Sequence, residues 1–282
     1  MGTEITANSI VAEEWSGAMG EKWLANLDRF EGMIAPVGAA FLDHAGFRPG
    51  ERVVDSGCGG GGTTIAIAEA VGPSGEVLGI DISPALVAAA RKRAAGLAHV
   101  RFRQADAATV TLEEPPFDRL FSRFGSMFFP DPAGAFANLR RLIRDGGRAD
   151  FAVWAPAREN GCIAGMMEVL ARHIELPAPV PHAPGPFSLD DPDYVRPLLL
   201  GAGFTRVDFT RWNGEQLIGG AGATAGEAAD FALSALSFAD ALADTPDVAA
   251  TVRNELQALF AAHQRPAGIA MGGAAWFVTA TT

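Results

Sequence analysis

Residues Arg52-Val53-Val54-Asp55-Ser56-Gly57-Cys58-Gly59-Gly60-Gly61-Gly62-Thr63-Thr64 constrain this chain more than any other segment. A β-branched pair runs into an acidic residue, then a glycine-saturated turn, then a Thr pair followed by Ile65, Ala66, Ile67 and Ala68. That order reads strand, tight turn, helix N-terminus. Only glycine lets a ligand approach such a turn at backbone distance and accepts positive φ without steric cost. Asp55, closing the strand, points to a ligand with a positive charge. It works against a pyrophosphate, which a helix N-terminus would otherwise hold well.

Strands and helices alternate downstream of this turn. Strands are expected at Val53–Asp55, Glu76–Ile80, Val100–Arg103, Phe117–Phe121, Arg148–Trp154, Thr205–Thr210 and Ala274–Thr281. Helices fall between them, one capped by Ser83 with Pro84 at its first position and one opened by Asp131-Pro132 and closed by Asp145-Gly146-Gly147. Alternation of this kind implies an α/β fold, a doubly wound and mostly parallel sheet of seven strands covered on both faces. Before it, Trp15, Met19, Trp23 and Leu27 recur at helical spacing, with Asn8 or Ser9 as a cap and breaks expected at Gly17 and Gly20. Residues 1–48 are therefore read as an N-terminal helical lid. Further helices are expected at Asn160–Ile174 and Asp190–Ala202, separated by a stiff Pro-rich loop, Leu176–Phe187. A capping box at Thr224 and Glu227 starts a helix bearing Phe231, Ala235, Phe238 and Leu242. Residues 217–268 are read as a helical cap inserted before the last strand, leaving 49–216 and 269–282 as the ligand-binding domain.

A net charge of −11 argues against nucleic acid or an anionic membrane as the main partner, since both need a basic face. No secretory signal and no apolar run of membrane-spanning length is evident, so a cytoplasmic location is expected. Cys58 and Cys162 form neither a disulfide framework nor a metal-ligand cluster, and no metal is expected.

Asp55, Asp81 and Asp106 each end a predicted parallel strand, where an open α/β sheet places its ligand crevice. Asp81 is positioned to accept from two ribose hydroxyls, and Asp106 with Ala107 to meet an exocyclic amine. Gly57, Gly59 and Gly62 also fit the Gly-x-Gly-x-x-Gly spacing of a dinucleotide loop, but Asp55 beside a pyrophosphate is unfavourable.

The pattern Asp-x-Gly-x-Gly-x-Gly, at Asp55, Gly57, Gly59 and Gly61, with Asp81 after the second strand, resembles the class I S-adenosylmethionine-dependent methyltransferases. Within them it is most similar to the ubiquinone/menaquinone C-methyltransferase-like group, over about Arg52–Trp154. Ser122–Pro132 and Leu142–Arg148 look like that group's fourth-strand loop and the turn before its fifth strand. The resemblance implies a Rossmann-like fold with S-adenosylmethionine as cofactor. It implies that Asp55 and Gly57 hold the methionine portion, Asp81 the ribose, Ile82 and Asp106 with Ala107 the adenine, and that the Ser122 backbone meets the amino-acid end. Asp145 stands where the family usually has proline.

The implied reaction is in-line methyl transfer to the O, N or C of a small, largely apolar or aromatic acceptor, with Trp15, Trp23, Arg123 and Phe124 as pocket candidates. Such a displacement has a neutral leaving group, so alignment and water exclusion carry most of the work. A hydroxyl or carbon acceptor needs a general base, and His182 in the Pro-rich loop is the candidate. Two other readings use the same cofactor residues: a non-catalytic binding module, and an enzyme using the sulfonium for chemistry such as cyclisation. The aromatic N-terminal helices offer a homodimer contact if they do not close over the site.

Overall fold

A computed structural model describes residues 12–176, 178–235, 242 and 245–282. The candidate caps Asn8 and Ser9, and Phe238, lie outside the described residues. Three helices come first: α1 (Ala12–Ser16), α2 (Ala18–Ala25) and α3 (Leu27–Ala45). Gly17 breaks the run as expected, but Gly20 does not. It lies buried inside α2, where any side chain would collide with Ser83 and the Trp15 carbonyl. The second break falls at Asn26, whose side chain turns back to donate to the Lys22 carbonyl at 3.0 Å.

The alternating part runs β1 (Arg52–Ser56), α4 (Gly62–Val71), β2 (Glu76–Asp81), α5 (Pro84–Arg93), β3 (Val100–Gln104), β4 (Phe117–Arg123), α6 (Pro132–Arg141) and β5 (Ile143–Trp154). Then come α7 (Gly161–Leu170), α8 (Pro192–Gly201), β6 (Arg206–Ile218), α9 (Ala225–Ala235), α10 (Pro246–Ala261), β7 (Gln264–Arg265) and β8 (Gly268–Thr281). The sheet has the order β3-β2-β1-β4-β5-β8-β6, with the two-residue β7 paired to β8. β1 to β5 are parallel, and β8 runs antiparallel to both β5 and β6.

Some boundaries differ from the sequence reading. Asp145-Gly146-Gly147 does not end a helix but lies in β5, as an irregularity where the register with β4 shifts between Phe117 and Arg119. β6 and β8 extend well past the expected strands, because they pair with each other from Arg206–Thr281 to Ile218–Ile269 as one long ribbon. α7 stops at Leu170, short of Ile174.

Two apolar layers flank the sheet. One joins Phe30, Ile34, Val37 and Phe41 of α3 to Ile67 of α4, Met166 of α7 and Leu256 of α10. The other joins Phe136 and Leu139 of α6, and Val195 and Leu199 of α8, to the opposite face. α3 is fixed at its C-terminal end by Arg119, which donates to the Ala45 carbonyl at 2.8 Å and to the buried Asp150 carboxylate at 2.7 Å. The chain reverses direction across the sheet between β1 and β4, so the crevice of such a fold belongs at their carboxyl ends.

Candidate functional site

The glycine turn divides its tasks among three positive-φ residues. Gly57 (φ 70°) lies where a Cβ would come 2.8 Å from the Gly125 Cα, so the loops after β1 and β4 touch backbone to backbone. Gly61 (φ 84°) serves packing, since a Cβ there would come 2.9 Å from Ala90 of α5. Gly59 (φ 54°) faces nothing within 4 Å and lines a cavity of about 570 Å³. The turn is held by Gly57 and Cys58, whose N–H groups donate to the Ile80 carbonyl at 2.8 and 3.0 Å.

Asp81 ends β2 at the cavity wall. One oxygen accepts from the Gly59 N–H at 2.8 Å and the other from the Ser83 N–H at 2.9 Å. Burial pushes its carboxyl above the ordinary range, against those backbone donors. Asp106, beyond β3, accepts from the Ala108 N–H at 2.9 Å. Ile82, Leu86, Ala105 and Ala107 make the apolar walls between the two carboxylates.

The roof comes from the N-terminal helices. Trp23 stacks on Phe30 with centroids 3.8 Å apart, Trp15 meets Trp23 at 5.6 Å, and Phe128 approaches Trp15 edge-on at 5.0 Å. A clasp ties α3 to the glycine turn: Arg93 donates to both Glu31 oxygens and to the Gly60 carbonyl, each at 2.8 Å. The other half of the cavity is lined by Phe124, Trp154, Cys162, Ile163, Met167, Phe187 and the amides of Asn160 and Gln216. Burial raises the Cys162 thiol to about 12, so it is a packing group and not a nucleophile.

Among the described lining residues the charges are three carboxylates, Glu31, Asp81 and Asp106, and one cation, Arg123. A pyrophosphate fits that set poorly. A cationic nucleoside fits it: open backbone at Gly59, a carboxylate for ribose hydroxyls, a second carboxylate beyond it, and apolar walls for a base.

Residues 53–147 match a family described as a methyltransferase domain. That match spans about a third of the chain, and curated methyltransferases are similar to it over the same region. It is 37% identical over 120 residues to aklanonic acid methyltransferase DauC of Streptomyces sp. (strain C5), covering 42% of this chain and 54% of that protein. It is 35% identical over 102 residues to demethylmenaquinone methyltransferase of Staphylococcus aureus (strain JH9), covering 36% of this chain and 42% of that protein. The chain thus spans about half the length of the curated relatives it matches. The fold of the [4+2]-cyclase SpnF superposes with a TM-score of 0.59 over 96% of each chain at 15% identity, a likeness of fold alone.

Of the residues singled out in the sequence, the segment that matches this family brings Gly57, Gly59, Asp81, Ile82, Asp106, Ala107, Arg123 and Phe124 to the cavity, with Trp15 and Trp23 from the helices before it. Asp55, Gly61 and Ser122 are not in its lining. Asp55 is fully buried beneath the turn, where one oxygen accepts from both the Thr63 and Thr64 hydroxyls at 2.7 Å and the other has no partner. Ser122 is likewise buried, its hydroxyl unpartnered. The largest correction concerns His182. It is exposed, stacks on Tyr194 with centroids 3.6 Å apart, and borders a separate hollow with Asp190 and Trp276. The Pro-rich loop turns Pro179, Pro186 and Phe187 inward instead. Glu31, Met33, Ile34, Asn160, Cys162 and Gln216 were missed, because each reaches the cavity only through long-range packing. The one local hint was a Glu within the apolar stripe of α3.

Proposed function

We propose that this protein is a methyltransferase that uses S-adenosylmethionine to methylate a small, largely apolar or aromatic molecule. The observation that carries the reading is one cavity with two chemistries. At the ends of β1 to β3 it offers open glycine backbone and two carboxylates; beyond β4 and β5 it is largely aromatic and apolar, with Arg123 and the amides of Asn160 and Gln216 as its polar groups. Gly57, Gly59, Asp81, Ile82, Asp106 and Ala107 would hold the cofactor, and when bound it supplies an activated methyl group on a sulfonium.

The chain's own residues orient and enclose. Asp81 fixes the Gly59 N–H through one oxygen and lines the cavity beside it. Trp15 and the stacked Trp23–Phe30 pair would shield the reacting groups from water, and Phe124 on Trp154 would give the acceptor a flat wall, with ring centroids 4.0 Å apart. No histidine is among the described lining residues, which suits an acceptor that is nucleophilic without a histidine base, a carboxylate or a neutral amine. That one curated relative is named for an acid substrate supports the same class. An acidic protein of net charge −11 in which no described helix is long and apolar enough to cross a membrane suits a cytoplasmic enzyme working without nucleic acid. With Trp15 and Trp23 turned to the cavity, a homodimer would need another surface.

Calorimetry with S-adenosylhomocysteine, then a methyl-transfer assay over phenols, quinols, amines and carboxylates, tests the reading. Absence of binding refutes it. Binding without turnover on any class favours the non-catalytic module.

A further inference from the structure

The aromatic half of the cavity holds one amide whose two ends have different fates. Gln216 lies on β6 next to the exposed Glu215, on the same face as the fully buried Ile218, where alternation along the strand calls for an apolar side chain. It is only 7% exposed and lines the cavity.

Backbone groups dictate which way this amide points. Asn160, also buried, donates through Nδ2 to the Ala155 and Pro156 carbonyls at 3.0 and 3.3 Å, and its Oδ1 accepts from the Ala274 N–H at 3.0 Å. A carbonyl only accepts and a peptide N–H only donates, so the Asn160 amide cannot be turned over. Its Oδ1 therefore faces Gln216, which donates to it through Nε2 at 3.4 Å. Gly273 of β8 makes room for this arrangement. A Cβ there would come 2.4 Å from the same Nε2 and 2.9 Å from Cδ.

The nitrogen of Gln216 is thus engaged and its oxygen is left over. Oε1 receives no hydrogen bond from a described residue. It is not sealed in, as the unpartnered Ser122 and Ser126 hydroxyls are, and the space that Gln216 borders is the cavity. Arg123 in the same half can only donate, and Asn160 is taken up by backbone. Gln216 Oε1 is the neutral side-chain acceptor which that half offers among the described residues. An amide oxygen held in an apolar space without a donor is unfavourable, and a donor arriving on a ligand removes that cost.

We propose that Gln216 selects the methyl acceptor, its Oε1 taking a hydrogen bond from a neutral O–H or N–H of that molecule, whichever atom receives the methyl. The selection rests on the methyltransferase reading above for that molecule's identity as a methyl acceptor, while the demand for a donor comes from the amide alone.

Calorimetry on protein saturated with S-adenosylhomocysteine compares two probe pairs, naphthol with its methyl ether and indole with N-methylindole. Each pair keeps its ring system and loses the donated hydrogen, an O–H in the first and an N–H in the second. The parent should prefer the donor member of at least one pair by about tenfold, and the pair that shows it tells hydroxyl from N–H recognition. Gln216→Leu should lose the preference while binding the methylated members no more weakly than the parent, which also shows that the variant is folded. Gly273→Ala keeps the amide but displaces it, and should lose the preference with an unchanged unfolding midpoint. It decides alone if Gln216→Leu fails to fold. Equal affinities within both pairs in the parent, failure of every probe to bind, or a preference that survives in either folded variant overturns the proposal. If S-adenosylhomocysteine does not bind, the cofactor reading fails separately, and the same pairs on cofactor-free protein still decide for or against Gln216.

Discussion

Alanine at Gly59 separates what the glycine turn does for folding from what it does for a ligand. Gly59 sits at φ 54°, and Gly46, the exposed C-cap of α3, at φ 59°. An L-residue in that left-handed region costs about 1–2 kcal/mol. A loss of that size lowers the unfolding midpoint by roughly 2–8 °C in a chain of this size. Gly46→Ala and Gly59→Ala should therefore lose similar stability, since neither added methyl meets anything closer than 3.7 Å. They should part company on binding. The Gly59 methyl projects into the cavity, where a well-packed ligand would meet it, and an extra methyl in a packed space costs about 1–3 kcal/mol. Affinity for S-adenosylhomocysteine should fall by roughly 5- to 150-fold in Gly59→Ala and stay within about twofold in Gly46→Ala. Gly57→Ala should be worse for folding than either, because its methyl meets the Gly125 backbone at 2.8 Å, which cannot rotate away. Thermal unfolding and calorimetry on the three variants read both quantities. Equal affinity in Gly59→Ala and Gly46→Ala, with matched midpoints, would refute the assignment of the open side of the turn to a ligand.

Asp81→Asn replaces one oxygen that receives a backbone N–H by an amide, so affinity for S-adenosylhomocysteine should fall by about tenfold or more; undiminished calorimetric affinity would sink that role. Asp55 has its carboxyl raised by burial, against the Thr64 and Thr63 hydroxyls. The stability linked to a raised value is fully present below the unfolded value of 3.8 and is lost as pH rises through the folded one. Asp55→Asn should therefore gain in urea midpoint relative to the parent as pH rises above 3.8, and a pH-independent difference would contradict this. His182→Ala should turn over within about twofold of the parent with an unchanged pH profile, as expected of a surface change; loss of the basic limb would restore it as a base. Amide exchange over residues 12–25 should be fast in the free protein and slowed by S-adenosylhomocysteine, while residues 27–45 stay slow in both; uniform exchange across the two would count against a hinge between them.

Much of the sheet was legible because its signals are local. The β-branched run Val53-Val54 with its glycine turn, the Ser83-Pro84 cap and the Asp131-Pro132 start all specify their own neighbourhoods, and β1 to β4 form within a residue or two of expectation. Asp145-Gly146-Gly147 misled because the same residues that end a helix also make a strand irregularity, and pairing with β4 decides between them. The β6–β8 ribbon was hidden because Gly214, Gly272 and Gly273 interrupt any alternation, and each strand is defined by the other. The acidic strand ends were legible individually, yet not their different fates. Asp81 reaches the cavity and Asp55 does not, because the Thr63 and Thr64 hydroxyls draw Asp55 beneath the turn. The Arg93–Glu31 clasp joins residues far apart in sequence and carries no local mark.

The N-terminal lid expected over residues 1–48 divides into unequal parts when burial is weighed. Phe30, Met33, Ile34, Val37 and Phe41 of α3 are core residues, and Phe41 stacks on Phe121 of β4 at 4.4 Å. Exposing five such side chains would cost about 8–15 kcal/mol at 1.5–3 each. That equals the whole stability of an ordinary domain, about 5–15 kcal/mol, so α3 moves only if the protein unfolds. α1 and α2 have no such anchor. Gly20 is the one buried residue of α2, and Trp15 and Trp23 are partly exposed against the cavity. Asn26, at a non-helical φ of −118°, is the joint between the two regimes. Widening the cavity mouth is therefore cheapest by swinging α1 and α2 about Asn26, with α3 and its Arg93 clasp left in place. The two tryptophans would then close over whatever has entered, which couples the roof to occupancy without disturbing the glycine turn beneath.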